Sequence, residues 1–172
     1  MGIMMDTAFM TRGVSPVDLE AFSTLFFQGD WQRASYILRN CLSIQDLPLI
    51  QQALSHYRII NDVCFLELDT ECTSELLGLV SDFFLSLKEI VFVVSWGFEG
   101  DILHVSVRSE DPKRPADLIV KKALAGIGSG GGHVHMGGGS ILQSDFPGND
   151  LLRERFLQAI GFIPENSRLK NS

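Results

Sequence analysis

The apolar positions recur at helical spacing through the first third of the chain and at strand spacing in several places after it. Residues 1–14 (MGIMMDTAFMTRGV) have the pattern of a strand end with an acidic residue, followed by a loop. Ser15-Pro16 then opens a helix. Ser15 suits an N-cap, Pro16 suits the first helical position, and Asp18 and Glu20 fall in the first turn. Val17, Phe22, Leu25 and Phe26 form its apolar face, and Gly29 ends it. Asp30 caps a second helix carrying Trp31, Ala34, Ile37, Leu38 and Cys41, and residues 44–57 give a third. Arg58–Asp69 (RIINDVCFLELD), rich in β-branched and aromatic residues, predicts one buried strand.

Thr73-Ser74-Glu75 starts the next helix, with Leu76, Leu79, Val80, Phe83, Phe84 and Leu87 as its core stripe. Two strands follow, Ile90–Phe98 and Ile102–Ser109, joined through Glu99-Gly100-Asp101, which has the composition of a tight hairpin. Pro115–Leu124 is a helix with Leu118, Ile119 and Leu124 inward. A glycine-rich loop comes next, then a strand near Ser140–Gln143, a closing helix Leu151–Ile160 ended by Gly161, and a polar tail. Strands alternating with helices from residue 58 onward define an α/β fold, a mixed β-sheet flanked by helices and preceded by a helical linker. The organisation expected is therefore 1–14, 15–57 as linker, and 58–172 as the α/β domain.

Composition narrows the function classes. The 172 residues suffice for one domain or slightly more, and an apolar fraction of 45% supports a core without disulfides. A net charge of −7 disfavours a protein that coats duplex DNA, but leaves room for a small phosphorylated substrate in one locally basic pocket. The three cysteines have no metal-ligand spacing, and Cys41 and Cys64 sit among apolar neighbours as small buried hydrophobes. The first ten residues lack a basic start and contain Asp6, and no apolar run approaches the ~18 residues of a membrane span. The expectation is a cytoplasmic protein with no membrane partner.

Candidate chemistry concentrates in two places. Seven glycines lie in the stretch 128–140, GSGGGHVHMGGGS, with two histidines and no acid. Glycine costs conformational entropy, so such density implies positive backbone dihedrals or main-chain N–H groups that approach a ligand closely. Successive N–H groups at Gly130, Gly131 and Gly132 can form a concave nest for an anion, with His133 donating to the same oxygens. A flexible linker is the bland alternative, though such linkers are usually longer and carry Ser or Lys rather than histidine, and the stretch lacks the Lys-Ser/Thr pair of a Walker loop. His133 and His135, without further ligands nearby, make a weak metal site. In the strand ahead of it, alternation puts His104, Ser106 and Arg108 on one side and Val105 and Val107 on the other. Arg108 can grip a phosphate through charge-assisted paired hydrogen bonds, and Ser109 can add a neutral donor. Lys113 and Arg114 lie in a solvated loop that can form the rim for a polyanion.

A strand ending in Ser-x-Arg-Ser, a short helix, then Gly-Gly-Gly-His followed by small residues resembles the C-terminal substrate-binding domain of DHH-family phosphoesterases. Relatives in that family include RecJ-like exonucleases, oligoribonucleases that also dephosphorylate adenosine bisphosphate, and cyclic-dinucleotide phosphodiesterases. Met136 and Gly137 stand where the family usually has two alanines. Gly2-Ile3-Met4-Met5-Asp6-Thr7 is similar to the last motif of the family's catalytic domain, which makes Asp6 the match for a metal-binding aspartate, commonly with Mn2+. Phe9 and Ser15–Ala21 continue that likeness into the linker. The earlier aspartate motifs and the Asp-His-His that names the family are absent.

The resemblance thus implies the substrate-binding part of a manganese-dependent phosphoesterase, inactive by itself, whose missing catalytic domain supplies the other metal ligands. Ser106, Arg108, Ser109, Gly130, Gly131, Gly132 and His133 would hold a nucleotide or short single-stranded oligonucleotide. A homodimer through the apolar surface of residues 1–30 is a further expectation. A free-standing nucleotide-binding regulatory module without catalysis is the alternative, and an interaction domain with the loop as a structural turn is a third.

Overall fold

The computed structural model describes residues 2, 3, 7, 10, 13–39 and 42–161. Asp6, Phe9, Cys41 and the C-terminal tail lie outside the described residues, and so do the expectations placed on them. Gly2 and Ile3 are helical, and the Thr7 N–H donates to the Ile3 carbonyl at 3.0 Å across a four-residue step, where a strand end was expected. The chain divides into two compact units, residues 1–44 and 45–172.

In the first unit, α1 (Pro16–Gln28) begins on a capping box: the Ser15 hydroxyl accepts from the Asp18 N–H, and the Asp18 carboxylate accepts from the Ser15 N–H. The Gly29 N–H closes it on the Leu25 carbonyl at 2.8 Å. Asp30 caps α2 (Trp31–Arg39) by accepting from the Arg33 N–H. Phe22, Phe26 and Trp31 form a ring cluster with centroids 5.1–5.9 Å apart, yet α1 has no buried residue.

The second unit opens with α3 (Leu47–His56), which packs Leu49 and Ala53 into the core, so the division falls before this helix rather than after it. Its sheet is six-stranded and mixed, in the order β1-β2-β3-β4-β6-β5. The strands are β1 (Tyr57–Ile60), β2 (Val63–Leu68), β3 (Phe92–Glu99), β4 (Ile102–Ser109), β5 (Ser129–Gly132) and β6 (Met136–Leu142). Only β2 and β3 pair in parallel, through the crossover helix α4 (Ser74–Leu85); the other pairs are antiparallel. The helices α5 (Ala116–Leu124) and α6 (Asn149–Ile160) complete the α/β arrangement.

The single strand expected over 58–69 is a hairpin. Ile60 faces Val63, and Asn61 at the turn takes φ +56°, which asparagine tolerates better than bulkier residues. Gly100, at φ +57°, makes the β3–β4 turn that the sequence predicts. Two helices are rotated relative to their expected stripes. In α4 the buried residues are Leu77, Gly78, Val80, Ser81, Phe84 and Leu85, while Phe83 and Leu87 are exposed. In α5 Leu118 is exposed and Ala116, Ile119, Val120, Ala123 and Leu124 are buried. In both helices the periodic stripe expected from the sequence is turned away from the arc that the sheet covers.

Each sheet face has its own core. On the back face, Val63, Phe65, Phe92, Val94, Trp96, Leu103, Val105 and Val107 pack on α5 and α6. Trp96 lies 6.4 Å from Phe156 and 6.3 Å from Phe65 between ring centroids, and its indole N–H donates to Asn149. On the front face, Cys64, Leu66, Leu68 and Val93 pack on α3 and α4. Cys64 is buried, as expected, and burial pushes its thiol up to about 12; the Cys72 thiol rises to about 11 for the same reason, with Glu99 adding to it. No helix among the described residues is long and apolar enough to cross a membrane.

Candidate functional site: an open glycine floor beside Arg108

The glycine-rich stretch is a β-hairpin rather than a loop. Ser129–Gly132 pairs with Gly137–Ser140, and a tight turn closes it, with the His133 N–H donating to the Met136 carbonyl at 2.7 Å and the reverse bond at 3.2 Å. Most of the glycines answer to packing. A Cβ at Gly139 would lie 2.4 Å from Leu124 Cδ1, one at Gly137 2.9 Å from the Ala116 carbonyl oxygen, and one at Gly130 3.0 Å from Val120 Cγ2. These three face α5, so the sheet approaches that helix backbone to backbone. Gly132 has φ +144°, and a side chain there would collide with Met136 O. A concave nest needs alternating left- and right-handed residues. Of Gly130–Gly132 only Gly132 has positive φ, and the strand aims successive N–H groups to opposite edges.

Gly131 and Gly138 are the exceptions. They are paired with each other and face front, where the nearest atoms to an added Cβ are Lys121 Cε at 3.7 Å and Val105 O at 3.6 Å respectively. Gly138 is exposed and Gly131 half-buried, so α4, which packs on β3 and β4, leaves this part of the sheet open. The register lays out three rows across β4, β6 and β5. Arg108 stands beside Met136; Ser106 stands beside Gly138 and Gly131; His104 stands beside Ser140 and Ser129. Successive rows are about 6.6 Å apart along the strands.

Arg108 is the centre of this face. Its Nε donates to Asp82 Oδ1 at 2.7 Å, and Nη1 donates to Ser106 Oγ at 2.9 Å and to the Val107 carbonyl at 3.3 Å. Nη2 donates to nothing among the described residues. It lies in a notch at Gly78 of α4, where a Cβ would be 2.8 Å away. Behind it, Ser106 stands opposite Ser95, whose hydroxyl is 2.6 Å from that of Ser81, which donates in turn to the Leu77 carbonyl. Three buried hydroxyls, those of Ser106, Ser95 and Ser81, thus lie on the front face beneath α4 and beside the guanidinium.

The structure brings Ser106, Arg108, Gly131 and the exposed His133 to or beside this face. Ser109 is not brought there. It is fully buried toward the other side, donating to the Asp111 carbonyl and accepting from the Asp111 N–H. Gly130 and Gly132 serve packing and the turn. The DPKRP loop is no free basic rim, because Arg114 is held by both Asp62 oxygens (3.0 and 2.6 Å) and by Asp111 (2.9 Å), and it lies over the Phe92 ring. Of the two basic residues of that loop, Lys113 is the exposed one. Sequence reasoning missed Gly78 and Asp82, Lys121 at the β5 edge, and the pairing of His104 with Glu99 at 3.0 Å. A glycine in the middle of an otherwise strong core helix was the one available signal for Gly78.

No group of three or more His, Cys, Asp or Glu side chains converges among the described residues. Asp6 lies outside them.

Together these features define an α/β domain that carries an arginine-anchored open ledge at the sheet end, the fold implied by the resemblance to the DHH-associated domain. The chain is 22% identical to an exopolyphosphatase-related protein from Bacteroides fragilis, with a TM-score of 0.66 over 92% of this chain and 47% of that one. It is 18% identical to RecJ from Thermus thermophilus, solved in complex with Mn2+, with a TM-score of 0.52 over 69% of this chain and 17% of that one. Both likenesses are likenesses of fold. In sequence it is 27% identical over 133 residues to an uncharacterised protein of Methanocaldococcus jannaschii, covering 77% of this chain and 27% of that protein. The chain therefore spans about a quarter of that relative's length and about half of the Bacteroides protein's. No family model matches the sequence.

Proposed function

We propose that the open front face of β4, β6 and β5 binds the phosphate of a nucleotide or short single-stranded oligonucleotide. In this reading the chain is the ligand-holding part of a metal-dependent phosphoesterase of the DHH kind, whether phosphodiesterase, exonuclease or nucleotide phosphatase. The observation that carries the proposal is a guanidinium fixed on three sides beside a floor without side chains. Arg108 offers a charge-assisted donor, and Gly131 and Gly138 let a ribose or a flat base approach the backbone. Ser106 positions Arg108 rather than contacting ligand directly, and His133 stands at the rim. The RecJ structure holds manganese; the metal in the present case would be held by groups outside the described residues, and no step at the ledge depends on it. The alternative of a regulatory module without chemistry uses the same face.

Titration of the full chain with adenosine 5′-monophosphate by calorimetry tests this. Arg108→Ala should weaken binding by roughly tenfold or more, as expected for a lost hydrogen bond to a charged group, measured at a temperature where the variant, which loses its bonds to Asp82 and Ser106, is still folded. Equal affinity in the variant would refute the site. Manganese-dependent turnover of a short oligonucleotide by this chain alone would refute the division of labour.

A further inference from the structure

An exposed acid stands beside the arginine that the proposal above assigns to an anion. The Asp82 side chain is 54% exposed while that of Arg108 is 11% exposed, and the two are in direct contact at 2.7 Å. Their formal charges cancel. Asp82 follows Gly78 by four positions, which puts both on the same face of α4, one turn apart. Gly78 provides the space in which Nη2 lies, and Asp82 occupies Nε. One helix thus sets both the position of the guanidinium and the charge it presents.

We propose that Asp82 is a specificity-determining residue that biases Arg108 toward a singly charged phosphodiester and against a doubly charged terminal phosphate; this rests on the nucleotide-phosphate reading of the ledge. A phosphate accepting from Nη2 sits across the width of the guanidinium from the Asp82 carboxylate. Every additional negative charge on the ligand gains attraction from Arg108 and meets repulsion from Asp82 over comparable distances. Arg108 is shielded by α4 while Asp82 is half-exposed, so solvent weakens the repulsion without abolishing it at this short range. The second charge of a terminal phosphate therefore gains little, while it still gives up its hydration. A diester carries one charge and loses less. Selectivity here comes from a repulsive element built into the site, a common route to discrimination.

The test uses the full chain at pH 8 and two probes. Adenosine 5′-monophosphate is a dianion there, because its second ionisation lies near about 6, and the dinucleotide adenylyl-adenosine is a monoanion. Asp82→Asn keeps an oxygen that accepts from Nε but removes the charge. It should raise affinity for the monophosphate on the order of tenfold and affinity for the dinucleotide much less, so the ratio of the two moves toward the monophosphate. Asp82→Ser serves as a second variant and should move the ratio in the same direction. Gly78→Ala should weaken both probes by similar factors, because it displaces Nη2 without altering charge. An unchanged ratio in Asp82→Asn, or a shift toward the dinucleotide, overturns the inference. The two levels stay separable. If Arg108→Ala affects neither probe, the ledge itself is misassigned; if it weakens both while Asp82→Asn leaves the ratio fixed, only the role of Asp82 fails.

Discussion

A methyl group at Gly139 would sit 2.4 Å from Leu124 Cδ1 and 2.6 Å from the Ser129 carbonyl oxygen, both well inside van der Waals contact. At Gly138, one residue earlier and on the opposite face, the nearest atom would be 3.6 Å away. The two alanine variants should therefore separate. Gly139→Ala forces β5 or α5 to move and should cost roughly 1–3 kcal/mol, the usual penalty for overpacking, seen as a lower urea midpoint. Gly138→Ala should leave the midpoint unchanged or slightly raised, since it also restricts the unfolded chain. It should nonetheless weaken nucleotide binding by roofing the floor. If the two variants were equally destabilised, the division of the glycines into packing and ledge positions would be wrong. In the sequence alone these glycines look alike. Their density was legible and pointed to close approach, but whether a helix or a ligand does the approaching depends on which face each residue takes in a strand. That assignment needs the register of β5 on β6, which glycine runs cannot reveal because they carry no alternation.

Among the elements, the β1–β2 turn and the loop before α5 are tied by Arg114, which reaches Asp62 from one and Asp111 from the other. The hydrogen bond from Arg114 holds the Asp62 carboxyl below its ordinary value of 3.8. Asp111 is lowered too, first by the Lys113 N–H and then by Arg114. A carboxyl with a lowered folded pKa contributes stability that is fully present above its unfolded value and is lost as pH falls through the folded one. Stability should therefore drop between about pH 5 and pH 3. Arg114→Met keeps an apolar contact over Phe92 and removes the ion pairs, so its urea midpoint should fall less over that interval than that of the parent chain. Equal falls would show that other carboxylates govern the acid limb. Solvent screens these partly exposed pairs and keeps the effect modest. From sequence, Lys113 and Arg114 were candidates for a phosphate rim. Their charge was visible, but Asp62 is 52 residues away along the chain, and its arrival depends on a hairpin whose turn was hidden inside an apparently continuous strand.

For the whole molecule, both cores and the whole ledge belong to residues 45–161. Every buried residue of the two clusters lies between Leu49 and Phe156, and α4, α5, β3, β4, β5 and β6 supply the groups named around Arg108. The first unit is different in kind. Its helix α1 buries nothing, and Val17 and Phe27 are 72% and 82% exposed, an apolar surface of the sort that partners or second copies cover. The sequence already showed the strand-rich body after residue 57. It grouped α3 with the helical connector of residues 15–57, because a helix that follows other helices shows no sheet to pack on until Leu49 and Ala53 are seen in the front-face core. A shortened chain of residues 45–161 should consequently unfold in one cooperative transition within a few degrees of the full chain, since it retains both cores, and it should bind adenosine 5′-monophosphate with the same affinity. Removing the first unit should also reduce self-association in sedimentation, because the exposed face of α1 goes with it. A broad, non-cooperative melt of the shortened chain would mean that residues 1–44 complete a core with the second unit. Cooperative unfolding with lost nucleotide affinity would instead place part of the binding surface in the first unit and move the site beyond the ledge.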